Sequence, residues 1–148
     1  MPAYDNCQSM EIEATPEQCF HALTDYERLP EWQGAVEDVV VHERDEEGRG
    51  TVVEYVIDAK VKTVRYRLRQ VYDAPYRVGS EYLGGDFRDF AGEWRFTRSG
   101  PGTYAELDLR IDPGSFVPGP LRRLIRDAVM KRALGDLKRR VESAAAPR

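Results

Sequence analysis

The sequence predicts an α+β fold: a curved antiparallel sheet of seven strands wrapped on one long C-terminal helix, with two short helices after the first strand. Three observations carry this. Residues 118–141, PGPLRRLIRDAVMKRALGDLKRRV, repeat apolar positions at steps of three and four, the period of a helix with one apolar side. Residues 36–111 alternate with period two, in runs broken by Gly- and Pro-containing turns at a spacing of about 8–14 residues. That spacing leaves no room for crossover helices, so the strands form a meander and not β-α-β units. Between these and the N-terminus, Thr15-Pro16-Glu17-Gln18 is a helix start, with a capping threonine, a proline in the first turn and a glutamine to complete a capping box.

The elements follow in order. Residues 4–13 alternate weakly and form the first strand. Cys19, Phe20, Leu23 and Tyr26 face inward from the helix that Thr15 caps, and Asp25 to Trp32 holds a second short helix or turn. Residues 36–43 are a valine-rich strand. Residues 51–58 put Val53, Tyr55 and Ile57 on one side. Residues 62–72 put Val64, Tyr66 and Leu68 on one side and Arg65, Arg67 and Arg69 on the other. Residues 77–83 end at Gly84-Gly85-Asp86, a hairpin signal. Residues 87–97 carry Phe90, Trp94 and Phe96, and residues 104–111 turn Ala105, Leu107, Leu109 and Ile111 inward. The final helix presents Leu121, Leu124, Ile125, Ala128, Val129, Leu134, Leu137 and Val141 as its apolar stripe and eight Lys/Arg on the other side. The whole chain, 1–148, is expected to be one domain, with residues 143–148 a frayed tail.

Composition narrows the function classes. Hydrophobic residues make up 41% and charged residues 32%, a globular and not a disordered balance. No run approaches the roughly 20 apolar residues of a membrane span. The start MPAYDNCQSMEIEA lacks the basic and apolar parts of a secretory signal, so a cytoplasmic location is expected. Cys7 and Cys19 are too few and too far apart for a disulfide framework or a zinc site, and both are expected as buried free thiols. The net charge of −4 is uneven. Residues 118–143 carry eight Lys/Arg against three Asp/Glu, net +5, whereas residues 1–117 carry 13 against 23, net −10. The basic helix is either a solvated face beside acidic strands or a contact for anionic lipid or RNA. The acidic chain favours the solvated face and argues against nucleic acid or the ribosome as partner, while transient membrane contact stays open.

Local strings carry a family resemblance. Thr15-Pro16-Glu17-Gln18 followed by Leu29-Pro30-Glu31-Trp32, and the hairpin from Gly85-Asp86-Phe87 to Gly92-Glu93-Trp94-Arg95-Phe96, resemble the polyketide cyclase/dehydrase and coenzyme-Q-binding START-like family over nearly the whole chain. The resemblance implies the helix-grip fold of the START and birch-pollen-allergen proteins, and a cavity between sheet and helix for an apolar or aromatic small molecule. A fold of this kind hosts carriers, quinone binders and cyclases alike, so it does not choose among them.

The residues point to the same interior. Tyr55, Tyr66, Tyr82 and Trp94 lie on successive strands at positions that can share one face, and rings with a polar tip suit an apolar pocket that needs a few hydrogen bonds. The expected ligand-binding set is these four with Leu124, Ile125, Ala128 and Val129 from the helix, and Trp32 near one mouth. Each ring fits a packed core equally well on its own. His21 and His42 are the only histidines; His21 is placed at the surface, and the facing of His42 stays open. With two distant histidines and two distant cysteines, neither a metal site nor a cofactor is expected, and no nucleophile or phosphate-loop motif is present. A binder of a quinone, lipid or polyketide-like compound is therefore set ahead of a polyketide aromatase/cyclase using the same cavity. A partner-binding role for the basic helix, as in the ribosome-associated members of the family, comes third.

Overall fold

Alternating sequence becomes strand and capped sequence becomes helix. The computed structural model describes residues 6–58, 62–114 and 117–145, without the side chains of Ile125 and Ala145. In chain order the elements are β1 (Asn6–Ile12), α1 (Pro16–Thr24), a 3-10 helix (Tyr26–Glu31), β2 (Val36–Arg44), β3 (Gly50–Asp58), β4 (Thr63–Asp73), β5 (Arg77–Gly85), β6 (Asp89–Ser99), β7 (Gly102–Asp112) and α2 (Gly119–Ala145). The strands form one sheet in the order β1-β7-β6-β5-β4-β3-β2. β2 to β7 are a meander, and β1 pairs antiparallel with β7 at its far edge. Residues 4 and 5 of the expected first strand lie outside the described residues.

The α1 start forms as the sequence predicts. The Thr15 hydroxyl accepts from the Gln18 amide at 3.2 Å, and the Gln18 side chain accepts from the Thr15 amide at 2.8 Å. Together they satisfy two backbone donors that a helix start otherwise leaves open, a contribution of about 1 kcal/mol.

On β4, Val64, Tyr66, Leu68 and Gln70 are buried while Arg65, Arg67 and Arg69 are exposed. This fixes the inner and outer faces of the sheet. α2 packs on α1, β1 and β7. Its Met130, Leu134, Leu137 and Val141 join Cys19, Phe20 and Leu23 of α1 and Phe96, Ala105, Leu107 and Leu109 of the sheet in the largest core cluster. The outer face is ionic. Glu54 accepts from His42 and Arg67 at 3.0 Å each, and Arg95 binds Glu93, Glu106 and Asp108. This settles His42 as an exposed outer-face residue.

Three expectations need correction. The apolar stripe of α2 is buried only in its C-terminal half: Leu121, Leu124 and Val129 are 46%, 67% and 43% exposed, and Ala128 is exposed. Helical phase explains this. The face carrying Met130, Leu134 and Leu137, extended back by four and seven residues from Met130, reaches Arg126 and Arg123, not the leucines. Cys7 is exposed, and only Cys19 is buried. Gly84 and Gly85 are not the hairpin turn but the end of β5, opposite Arg67 and Tyr66. A side chain on Gly85 would place its Cβ 2.4 Å from the Arg65 carbonyl oxygen, and Gly85 has φ +142°, so glycine is required there.

Candidate functional site

β3, β4, β5 and β6 each turn large rings to the inner face. Tyr55 and Tyr66 are register partners on β3 and β4, and their rings stack with centroids 5.4 Å apart. Phe87, just past β5, and Phe90 on β6 lie 4.9 and 5.4 Å from the Tyr66 ring. Tyr82 meets Phe90 at 6.4 Å. These rings, with Val64, Leu68 and Ile57, form a cluster of their own that, among the described residues, contains none of α2. Only Val64, Tyr66 and Leu68 in it are buried; Tyr55, Ile57, Tyr82, Phe87 and Phe90 stay half-buried. The result is an aromatic shelf of mostly half-buried rings on the inner face.

Polar groups border the shelf. Ser80 donates to the Gln70 side-chain oxygen at 2.5 Å, and the Gln70 amide donates to the Tyr55 hydroxyl at 3.1 Å. The Tyr26 and Tyr72 hydroxyls are 2.6 Å apart, and Tyr72 donates onward to the Gly50 carbonyl. The Tyr82 hydroxyl donates to the Phe87 carbonyl at 2.7 Å. The Tyr66 hydroxyl has no hydrogen-bond partner among the described residues, although Tyr66 is only 6% exposed. Burial raises the tyrosines as acids: Tyr55 and Tyr66 well above the usual tyrosine value, Tyr72 to about 12, and Tyr82 upward. At neutral pH they keep their protons and act as hydrogen-bond donors.

The structure thus brings Tyr55, Tyr66 and Tyr82 together, and adds Phe87, Phe90, Gln70 and Ser80. Alternation from Val64, Tyr66 and Leu68 already pointed at Gln70, and the quoted hairpin string contains Phe87 and Phe90. Trp94 is also on the inner face but sits with Phe96, 6.1 Å away, against the helix core. Trp32 is half-buried and touches both that core and the cluster of Tyr26, Leu29, Val36, Val39 and Val53. Leu124, Ala128 and Val129 are exposed on α2, off the face that meets the sheet, and the Ile125 side chain lies outside the described residues. The last residues of β7, where Ile111 is the register partner of Phe90, and the first turns of α2 line an open groove of about 550 Å³ that contains Arg122, Arg123 and Arg126. Among the described residues no His, Cys, Asp or Glu group could hold a metal ion, and no helix is long and apolar enough to cross a membrane.

A seven-stranded antiparallel sheet closed on a long C-terminal helix is the helix-grip, START-like class. The chain belongs to the polyketide cyclase/dehydrase and lipid transport family, whose model matches residues 12–138. A START superfamily protein of Mycobacterium smegmatis is similar in structure, with a TM-score of 0.87 at 19% identity over 97% of this chain and 100% of that one. A Thermus thermophilus protein has a TM-score of 0.79 at 26% identity, over 95% of this chain and 98% of its own. The aromatase/cyclase Zhui of Streptomyces sp. R1128 has a TM-score of 0.81 at 15% identity, over 95% and 94%. No curated protein sequence matches the chain.

Proposed function

We propose that this protein binds an apolar or aromatic small molecule, such as a quinone, a lipid or a polyketide-like compound, between the aromatic shelf and α2. The observation that carries the proposal is the Tyr66 hydroxyl. Every fully buried side-chain polar atom among the described residues is paired. The Tyr66 hydroxyl is unpaired, so it reaches open space, and it does so among aromatic rings. A carbonyl or ether oxygen on a guest would complete it, worth about 1 kcal/mol net. The half-exposed rings of Tyr55, Tyr82, Phe87 and Phe90 would gain about 25 cal/mol for each Å² that the guest covers. Trp94 and Trp32 would border the site, whereas Leu124, Ala128 and Val129 stay outside the contact set.

Native mass spectrometry and solvent extraction of the purified protein test this. A hydrophobe released on unfolding supports it. A protein that carries none and also fails to bind a neutral naphthylamine dye overturns it.

A second function, aromatase/cyclase, is favoured by the description of the family and by the activity named for the Streptomyces neighbour. Tyrosines with raised proton affinity suit holding and orienting a carbonyl more than delivering a proton at neutral pH. Turnover of a poly-β-ketone mimic that is lost in Tyr66→Phe would put catalysis ahead of carriage.

A further inference from the structure

The groove at the start of α2 is built from unusual material for a wall beside an apolar shelf. Continuing the buried face of α2 back from Met130 brings Arg126, half-buried, and Arg123, exposed, into the phase where a simple amphipathic helix would carry leucines. The Arg122 guanidinium is anchored by donating to the Gly114 carbonyl at 2.9 Å and to the Val117 carbonyl at 3.2 Å. Arg126 lies 3.3 Å from Asp127, which also accepts from Asn6 at 2.7 Å. Arg123 makes no hydrogen bond or ion pair with a described residue. Among the described residues the carboxylate lining the groove is Asp112, which is shared at 3.7 and 3.8 Å between Arg88 and Arg122. Asp127 pairs with Arg126, and Asp112 is shared by Arg88 and Arg122, so among the described residues the guanidinium in the groove without a partner is that of Arg123.

The groove and the shelf are neighbours. Ile111, which lines the groove, is the register partner of Phe90, and the Phe90 ring is 5.4 Å from Tyr66. An apolar body lying on the shelf would therefore end beside the arginines. The planar fork of a guanidinium matches a carboxylate or phosphate, with two donors for two oxygens.

We infer that the ligand is an acidic amphiphile, an apolar body ending in a carboxylate or phosphate monoester, with its acidic end held by Arg123. This deepens the binding function proposed above and rests on it. Arg122, fixed to two carbonyls, shapes the groove and adds charge.

The test uses the full chain at neutral pH with N-phenyl-naphthylamine, a neutral dye, as reporter of the shelf. Dodecanoic acid, dodecyl phosphate, methyl dodecanoate and inorganic phosphate compete in separate arms. The acid and the alkyl phosphate should displace the dye about tenfold more strongly than the ester, the size of one charge-assisted hydrogen bond. In Arg123→Gln that preference should shrink toward unity while the ester competes as before. Arg123 is exposed and unpaired among the described residues, so the substitution should leave the fold intact. Equal competition by acid and ester, a preference that survives the substitution, or inorganic phosphate binding as tightly as dodecyl phosphate would each overturn the inference while leaving the hydrophobe-binding function intact. Failure of the dye and every amphiphile to bind would remove both.

Discussion

Tyr55 and Tyr66 stack on each other in adjacent strands, yet removing their hydroxyls should have opposite consequences. The Tyr55 hydroxyl accepts from the Gln70 amide, and Gln70 is 5% exposed. Tyr55→Phe leaves that amide without its acceptor in the interior, which costs about 1–3 kcal/mol of stability. The Tyr66 hydroxyl has no partner to strand among the described residues. Tyr66→Phe should therefore leave stability within about 0.5 kcal/mol of the wild type, and can even raise it by removing an unsatisfied group from an apolar setting. For ligand binding the order reverses. Tyr66→Phe loses a donor aimed at the guest, worth about 0.5–1.5 kcal/mol, or roughly two- to tenfold in Kd. Urea unfolding at equilibrium gives the first quantity, and dye displacement or titration with an extracted ligand gives the second. If Tyr66→Phe destabilises the fold as much as Tyr55→Phe and leaves affinity unchanged, the hydroxyl is a structural group and the site assignment fails.

Other perturbations separate buried from exposed parts of the same elements. Leu134→Ala, at a residue 1% exposed, should cost about 2–5 kcal/mol in urea unfolding, whereas Leu124→Ala, 67% exposed, should stay within about 0.5 kcal/mol. The Cys7 thiol is pushed up to about 11 by partial desolvation and by the Asp108 carboxylate that accepts its hydrogen bond. Iodoacetamide at pH 8 should therefore label Cys7 far more slowly than a free cysteine, and Asp108→Asn should speed it; peptide mapping reads both. Burial works to raise Asp108, but hydrogen bonds from Arg95 and Cys7 outweigh it and hold the carboxyl below the ordinary value of 3.8. A lowered carboxyl stabilises the fold above its unfolded value, and that contribution is lost as the pH falls through it. Urea titrations from pH 6 to pH 3 should show a steeper loss of stability in the wild type than in Asp108→Asn.

What was legible in the sequence was whatever local period decides. Period-two alternation located β3, β4, β6 and β7 and turned Tyr55, Tyr66 and Tyr82 to one face, because a strand has only two faces and one of them carried Arg65, Arg67 and Arg69. Phase on a helix is harder. Leu121, Leu124 and Ala128 form a stripe as regular as Met130, Leu134 and Leu137, and the two stripes point in different directions. Only the contact with α1, β1 and β7, which no local window contains, decides which is buried. Gln70 escaped notice for another reason. Its position in the alternation was clear, but a polar residue inside is meaningful only when its partners, Tyr55 and Ser80, are seen beside it. Cys7 was misplaced because thiols are usually buried, whereas β1 is an edge strand that alternates between half-buried and exposed positions.

The two halves of α2 explain how one helix can be both core and site wall. Its C-terminal half is fixed by burial: Met130, Leu134, Leu137 and Val141 close the sheet beside α1, and Lys138 and Glu142 tie it to the end of β1 and the residue that follows. Among the described residues its N-terminal half adds none to the shelf cluster, and Arg122, Arg123 and Arg126 line the groove beside Ile111. A chain selected only for stability would continue the leucine face along the sheet, since each such residue adds about 1.5–3 kcal/mol on burial. Here Arg123 and Arg126 stand in that phase instead, and the rings of Tyr55, Tyr82, Phe87 and Phe90 stay half-buried, surface that the proposed ligand would cover on binding.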